Sequence, residues 1–301
     1  MKHLFSSFSA LTLAAILIAP FAACDDIDEA DRIIAGKPEK HVVKPETITT
    51  EYQGESFTYV HQQRLLIEDF TGWKCVNCPA IADFLTYSIL PIYPSVMVSL
   101  HMTTNSFSAG HRDGYNCAAA DQICDQINGS PIASQLSLPS VCLNNVSFGN
   151  SRFSNDTVQI ADYAQRLYVE SLSSTSYADI AINAHKGADD KYEVCTYINA
   201  PAVSTGSRLQ LWLIEEELIS SMQQSSTGWI RNYKNHGILR EVLNGDCSGE
   251  PIQTDAEGAT VIKHTIDLTG KSYIPANCRV VAIVLKGDGV TVDNCCEAAL
   301  E

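Results

Sequence analysis

The apolar positions of this chain change rhythm twice. A continuous apolar run, Leu4 to Ala23, opens it; runs and helical spacings follow between Leu65 and Leu172; short alternating stretches fill the rest. The middle part predicts a strand from Leu65 to Phe70, a helix over Pro79–Leu90 and a buried strand at Val96–Met102. It continues with a helix within Tyr115–Ile127, a strand over Val141–Phe148 and an amphipathic helix over Asp156–Leu172, capped by Asn155 or Asp156. Beyond a serine-rich connector at 171–176, six alternating stretches read as strands: Ala178–His185, Tyr192–Asn199, Leu209–Glu217, Val261–Leu268, Val280–Lys286 and Val290–Asn294. Several short strands with turns between them predict a β-sandwich. A long loop, Ser220–Thr260, is expected between the third and fourth, with Trp229, Tyr233, His236 and Arg240 anchoring it to the sheet, or, as the alternative, exposed for binding. The organisation is therefore an α/β domain at 57–174, a sandwich at 175–301, and a polar, turn-rich tether at 24–56.

The leader changes the compartment. Met1-Lys2-His3, the apolar run and Phe21-Ala22-Ala23-Cys24 read as a secretory signal over 1–23 whose end resembles a lipobox, making Cys24 the candidate lipidation site. Acidic residues follow, Asp25-Asp26-Ile27-Asp28-Glu29, so the apolar run is not a stop-transfer anchor. Attachment is expected through lipid alone, since no other stretch is apolar enough to span a bilayer. A formal charge of −15 argues against nucleic acid and anionic surfaces as partners. Eleven cysteines suit an oxidising compartment. With Cys24, Cys75 and Cys78 set aside, eight remain and their pairing is open. Cys117 and Cys124, at heptad spacing in one helix, lie roughly 10 Å apart by helix rise, too far to bridge each other.

The chemistry concentrates in LLIEDFTGWKCVNCP, Leu65 to Pro79. Two cysteines at i and i+3 on a first helical turn can close a small disulfide, and the free amides and dipole of a helix start favour a thiolate. Cys75 is the candidate nucleophile and Cys78 the resolving thiol. Pro79 is tolerated because the first-turn amide it lacks has no intrahelical partner. An inert structural disulfide is the plain alternative; a metal site using Cys75, Cys78 and His101 is a third. Strand alternation is expected to turn only one of Glu68 and Asp69 inward. Exchange chemistry requires the Cys75 sulfur to be ionised and open at a helix start near Val76. A sealed sulfur leaves a scaffold.

This stretch resembles the thioredoxin fold, with a tryptophan ahead of the pair and an acid, Asp69, six residues before the first cysteine. The resemblance implies that Asp69 takes the resolving thiol's proton, that Leu138-Pro139 forms a cis-proline loop beside the dithiol, an ordinary trans proline being the alternative, and that the insertion 103–137 either roofs the dithiol or only fills out the core. Lys74, between Trp73 and Cys75, departs from the pattern and would lower the thiol's pKa. The whole layout resembles the outer membrane protein 28-related family of Gram-negative lipoproteins. LLIEDFTGWKCVNCP, the strand ending in His101, LWLIEEELI with Gln223-Gln224, Asn235-His236-Gly237-Ile238-Leu239-Arg240 and VVAIVLKG carry that likeness. It implies an α/β thioredoxin-like domain followed by an all-β sandwich domain, placed at the outer membrane; the acidic run after Cys24 resembles those that mark display on the outer surface, inner-leaflet attachment being the alternative. The expected activity is thiol-disulfide exchange with protein thiols or disulfides through Cys75, Cys78, Asp69 and Pro139. The alternative is a non-catalytic surface binding or adhesion lipoprotein whose CxxC is a structural disulfide. No cofactor or metal is called for.

Overall fold

A computed structural model describes residues 45–174, 176–200 and 206–300. The leader, Cys24 and the acidic run lie outside them. The first described residues do not form a tether: β1 (Thr47–Tyr52) and β2 (Glu55–Val60) make an antiparallel hairpin turned by Gln53-Gly54. The expectation of a tether reaching residue 56 is thereby corrected. The reason lies in Thr-Ile-Thr-Thr-Glu-Tyr, a β-branched run whose exposure alternates with period two.

β3 (Leu65–Thr71) is buried along its whole length. It is followed by α1 (Cys78–Phe84), which continues as a π-helical turn over Leu85–Ile89, and by β4 (Ser95–His101), parallel to β3. α2 (Ala118–Asn128) precedes β5 (Ser140–Leu143), which pairs antiparallel with β3 on its other side. β5 ends earlier than expected because Asn144 and Asn145 adopt left-handed backbone, with φ of 47° and 55°. α3 (Thr157–Ser173) is capped by Asp156, whose carboxylate accepts from the amides of Val158 and Gln159.

The second half supplies β6 (Asp179–Lys186), β7 (Lys191–Asn199), β8 (Arg208–Glu215), β9 (Ile219–Ser225), β10 (Gly228–Lys234), β11 (Ile238–Val242), β12 (Glu250–Pro251), β13 (Ala259–Asp267), β14 (Cys278–Leu285) and β15 (Val292–Ala299). The expected loop at 220–260 thus holds a hairpin and two further strands. An eight-stranded sheet runs β15-β14-β8-β11-β4-β3-β5, with β12 alongside β8; β13-β7-β6 form a separate three-stranded sheet. The expected division at 174/175 therefore crosses one hydrogen-bonded sheet. β11 joins the halves: it is antiparallel to β8 and parallel to β4, where Ile238 pairs with Ser99.

Both faces of the large sheet are covered. α2 packs Ala120, Ile123 and Ile127 against Leu66, Phe70, Val98 and Leu100 on one face. On the other, α1 and α3 bring Ile81, Leu85, Ile160 and Ala164 against Leu65, Ile67 and Met97. The three-stranded sheet packs Ile180, Val194 and Ile198 against Leu211, Leu213, Val280 and Ala282, a sandwich-like layer on β8 and β14. The β1–β2 hairpin covers that sheet's outer side through Phe57, Tyr59 and Tyr197.

Candidate functional site

β3 delivers Gly72, Trp73, Lys74 and Cys75 to the end of the sheet. Gly72 is required there: a Cβ would lie 2.5 Å from the carbonyl oxygen of Phe107. That carbonyl accepts the amide of Lys74 at 2.9 Å, and Cys75 N–H donates to Gly72 O at 3.0 Å, pinning the turn. Cys75 and Cys78 are joined as a disulfide, with Cα atoms 5.4 Å apart.

Two expectations fail at this turn. The helix starts at Cys78, with Asn77 before it making no side-chain cap, so Cys75 lies ahead of the helix rather than on its first turn. Cys75 and Cys78 are each only 2% exposed, so the sulfur expected to be open is sealed. The cover is the β9–β10 hairpin. Gln223 Nε2 donates to Gly72 O at 3.1 Å and Cys75 O at 3.4 Å, and Gln224 N–H donates to Trp73 O at 2.8 Å. The Trp73 ring lies 5.8 Å from Trp229 and 5.9 Å from His111. The Lys74 ammonium is held by Ala109 O at 3.2 Å and sits over the Trp73 ring.

The insertion does not roof the disulfide with its helix, since α2 fills the core on the opposite sheet face. Only its first part, around Phe107 and His111, reaches the Gly72–Lys74 turn.

Glu68 and Asp69 are both buried, 0% and 1% exposed, because the sheet is covered on both sides. Alternation places Asp69 with Leu65 and Ile67 on the α1 face, and Glu68 with Leu66 and Phe70 beneath α2. None of their four oxygens has a hydrogen-bond partner by geometry. Burial therefore lifts Asp69 from 3.8 to about 7, and Glu68 from 4.5 to about 8, with a small opposing effect from the Cys142 thiol.

His101 shares the Asp69 face, since Thr71 pairs with His101 and Asp69 with Ser99. It is 1% exposed and neither ring nitrogen has a partner. Burial, then the neighbouring His111 at 5.2 Å and Arg240, push its pKa down to about 3, so it is neutral. The third expected reading, metal held by the pair and His101, has no thiolates here because the sulfurs are bonded to each other. Among the described residues, Glu55, Glu193 and Cys195 bring three possible ligand atoms within 4.8 Å of one another. The Lys263 ammonium already serves that group, 2.6 Å from Glu55 and 3.7 Å from Glu193.

The Leu138–Pro139 bond is cis, and Pro139 is buried. Because Ser140 pairs with Phe70, Pro139 lies beside the end of β3 that leads into the disulfide turn. The eight remaining cysteines are buried thiols, unpaired. Cys117 precedes α2 and its thiol meets Arg240 O at 3.2 Å, while Cys124 lies inside the helix. Sequence reasoning missed Gln223, Gln224 and Trp229 as the cover. Their signal was present: two short runs around Ser226-Thr227-Gly228, a turn sequence.

These features define a β-rich protein with a covered disulfide at a strand-to-helix turn. A family model described as outer membrane protein Omp28 matches residues 136–301. The chain belongs to the Omp28 family and is an outer-membrane-associated protein. Among solved structures, HBP35 of Porphyromonas gingivalis is similar with a TM-score of 0.64 at 16% identity, over 79% of this chain and 76% of that one. At that identity the likeness shows the fold alone. A domain of the outer membrane lipoprotein Omp28 from the same organism gives a TM-score of 0.31 at 17% identity, over 42% of this chain and 91% of that one. No curated protein matches the chain.

Proposed function

We propose that this chain is an outer-membrane lipoprotein, attached through Cys24, that works as a non-catalytic surface binding protein. In this reading β3, α1, β4 and β5 with cis-Pro139 form a thioredoxin-like scaffold, and Cys75–Cys78 is a fixed crosslink. The burial of both cysteines under the β9–β10 hairpin carries the proposal: reactive cysteines sit in partly exposed surroundings, and these do not. The position of Cys75 ahead of the helix supports it too, because first-turn amides are what stabilise a thiolate.

One observation favours exchange as the second reading. Asp69, unpartnered and near neutrality on the α1 face, is suited to taking the proton of Cys78. After displacement of the hairpin, a reduced Cys75 thiolate would attack a substrate disulfide and release one substrate thiolate. Cys78 would then displace the second, leaving reduced substrate and the Cys75–Cys78 disulfide.

The two readings part in a glutathione titration of the mature protein with iodoacetamide trapping, using Cys75→Ser to account for the other thiols. A crosslink gives a potential below about −300 mV and no native-state labelling of Cys75. Insulin reduction that disappears in Cys75→Ser overturns the scaffold reading.

A further inference from the structure

The hairpin that covers the disulfide has a second, open side. β9 and β10 form a two-stranded sheet with no other strand in it. β9 is fastened to the body: Gln224 N–H donates to Trp73 O, Ser221 N–H to Asp113 Oδ2 at 2.8 Å, and Tyr115 OH to Ile219 O at 3.0 Å. Among the described residues, the outer edge of β10 makes no backbone hydrogen bond, and every residue from Gly228 to Asn232 is exposed. It presents Trp229, 47% exposed, and Ile230, 36% exposed. An open apolar strand edge is a template for pairing, and proteins usually blunt such edges.

Cations gather beside this edge: among the described residues Lys74, Arg112 and Arg231 are in no ion pair, while the nearby acids are engaged, Asp113 by Ser221 of β9 and Glu217 by Lys234 at 2.7 Å. Arg112 Nη1 meets Met222 Sδ at 3.0 Å, and Met222 pairs in register with Arg231, so the two guanidinium groups flank one position of the hairpin. A cationic, aromatic edge on a chain of formal charge −15 is complementary to an acidic partner.

We propose that the β10 edge receives an extended acidic segment of another protein as an added strand. Its backbone would pair with Gly228–Arg231; its apolar side chains would lie on the Ile230 face, and its carboxylates on the opposite face, where Arg231 and Arg112 stand beside Trp229. Asn232, at φ 54°, turns the edge aside and limits the added strand to about four paired residues. A second copy of this chain fits less well, because apposed β10 edges would bring Arg231 toward Arg231 between two acidic bodies. The inference gives the binding reading a surface and a partner class. It is tested without thiol chemistry, so its failure leaves the redox result standing.

The test uses the mature chain and a fluorescein-labelled peptide of alternating valine and glutamate, read by anisotropy, with a valine–lysine peptide and a proline-interrupted acidic peptide as controls. The acidic peptide binds, slows amide exchange at 228–231, and loses at least about tenfold in affinity with Arg231→Glu or on raising salt from about 50 to about 500 mM. Absence of binding, equal binding of the lysine peptide, indifference to Arg231→Glu, or a dimer of the free protein that itself protects the β10 amides overturns the proposal.

Discussion

Replacing Asp69 by asparagine tests the buried acid directly. Its carboxyl is fully buried without a partner, and its pKa rises from 3.8 to about 7. The folded state therefore binds the proton more tightly than the unfolded chain does. The stability it contributes is whole below the unfolded value and is lost as pH rises through the folded one. With one pKa unit worth 1.36 kcal/mol, the ionisable side chain costs about 2 kcal/mol at pH 5 and about 4 kcal/mol at pH 8, relative to a side chain that cannot ionise. Asp69→Asn should thus gain about 2 to 3 kcal/mol over the wild type between pH 5 and pH 8. Any fixed penalty from an unsatisfied amide cancels in that difference, and so does Glu68, which both proteins carry. The assay is urea unfolding of the oxidised protein at several pH values, with unchanged m-values as the check on two-state comparison. A gap between the two proteins that stays constant from pH 5 to pH 8 refutes the reasoning. It would mean that water or a hidden partner satisfies the carboxylate.

Other outcomes follow from single contacts. Glu68→Gln removes a carboxyl held at about 8 beneath α2, and its stability relative to the wild type is expected to rise by about 3 kcal/mol between pH 4 and pH 7, read by the same denaturation series. Gly72→Ala forces a methyl group against Phe107 O and should cost about 1 to 3 kcal/mol, while loosening the disulfide turn enough to raise the labelling of reduced Cys75. Asp156→Ala strips two amides of α3 of their acceptor; the expected loss is about 1 kcal/mol, seen as a lower urea midpoint. Trp212→Ala opens the core beneath β8 and should cost about 3 to 5 kcal/mol by the same measure.

The hairpin over the disulfide decides how the rest is read. A CxxC at a strand-to-helix turn, a buried acid on the helix side and a cis-proline at the neighbouring strand are the parts that exchange chemistry uses. Gln223 and Gln224 close them off with three hydrogen bonds to the backbone of the same turn. Those bonds tie residues more than a hundred positions apart. No periodicity within either segment carries that information.

What the residues alone determined is local. The continuous apolar runs marked β3 and β4, and helical spacing with Asp156 in front marked α3. Alternation located β6, β7, β8, β13, β14 and β15 to within a few residues. Each of these follows from side chains a few positions apart, where propensity and burial act together. The tertiary structure alone decided the long-range matters: that β11 stitches both halves into one sheet, that Glu68 and Asp69 are buried together, and that the sulfurs are sealed. These depend on which surfaces meet after the chain has folded back on itself. A strand flanked by layers on both faces hides both of its alternating sides, and a distant hairpin can cover a turn whose own sequence reads as open.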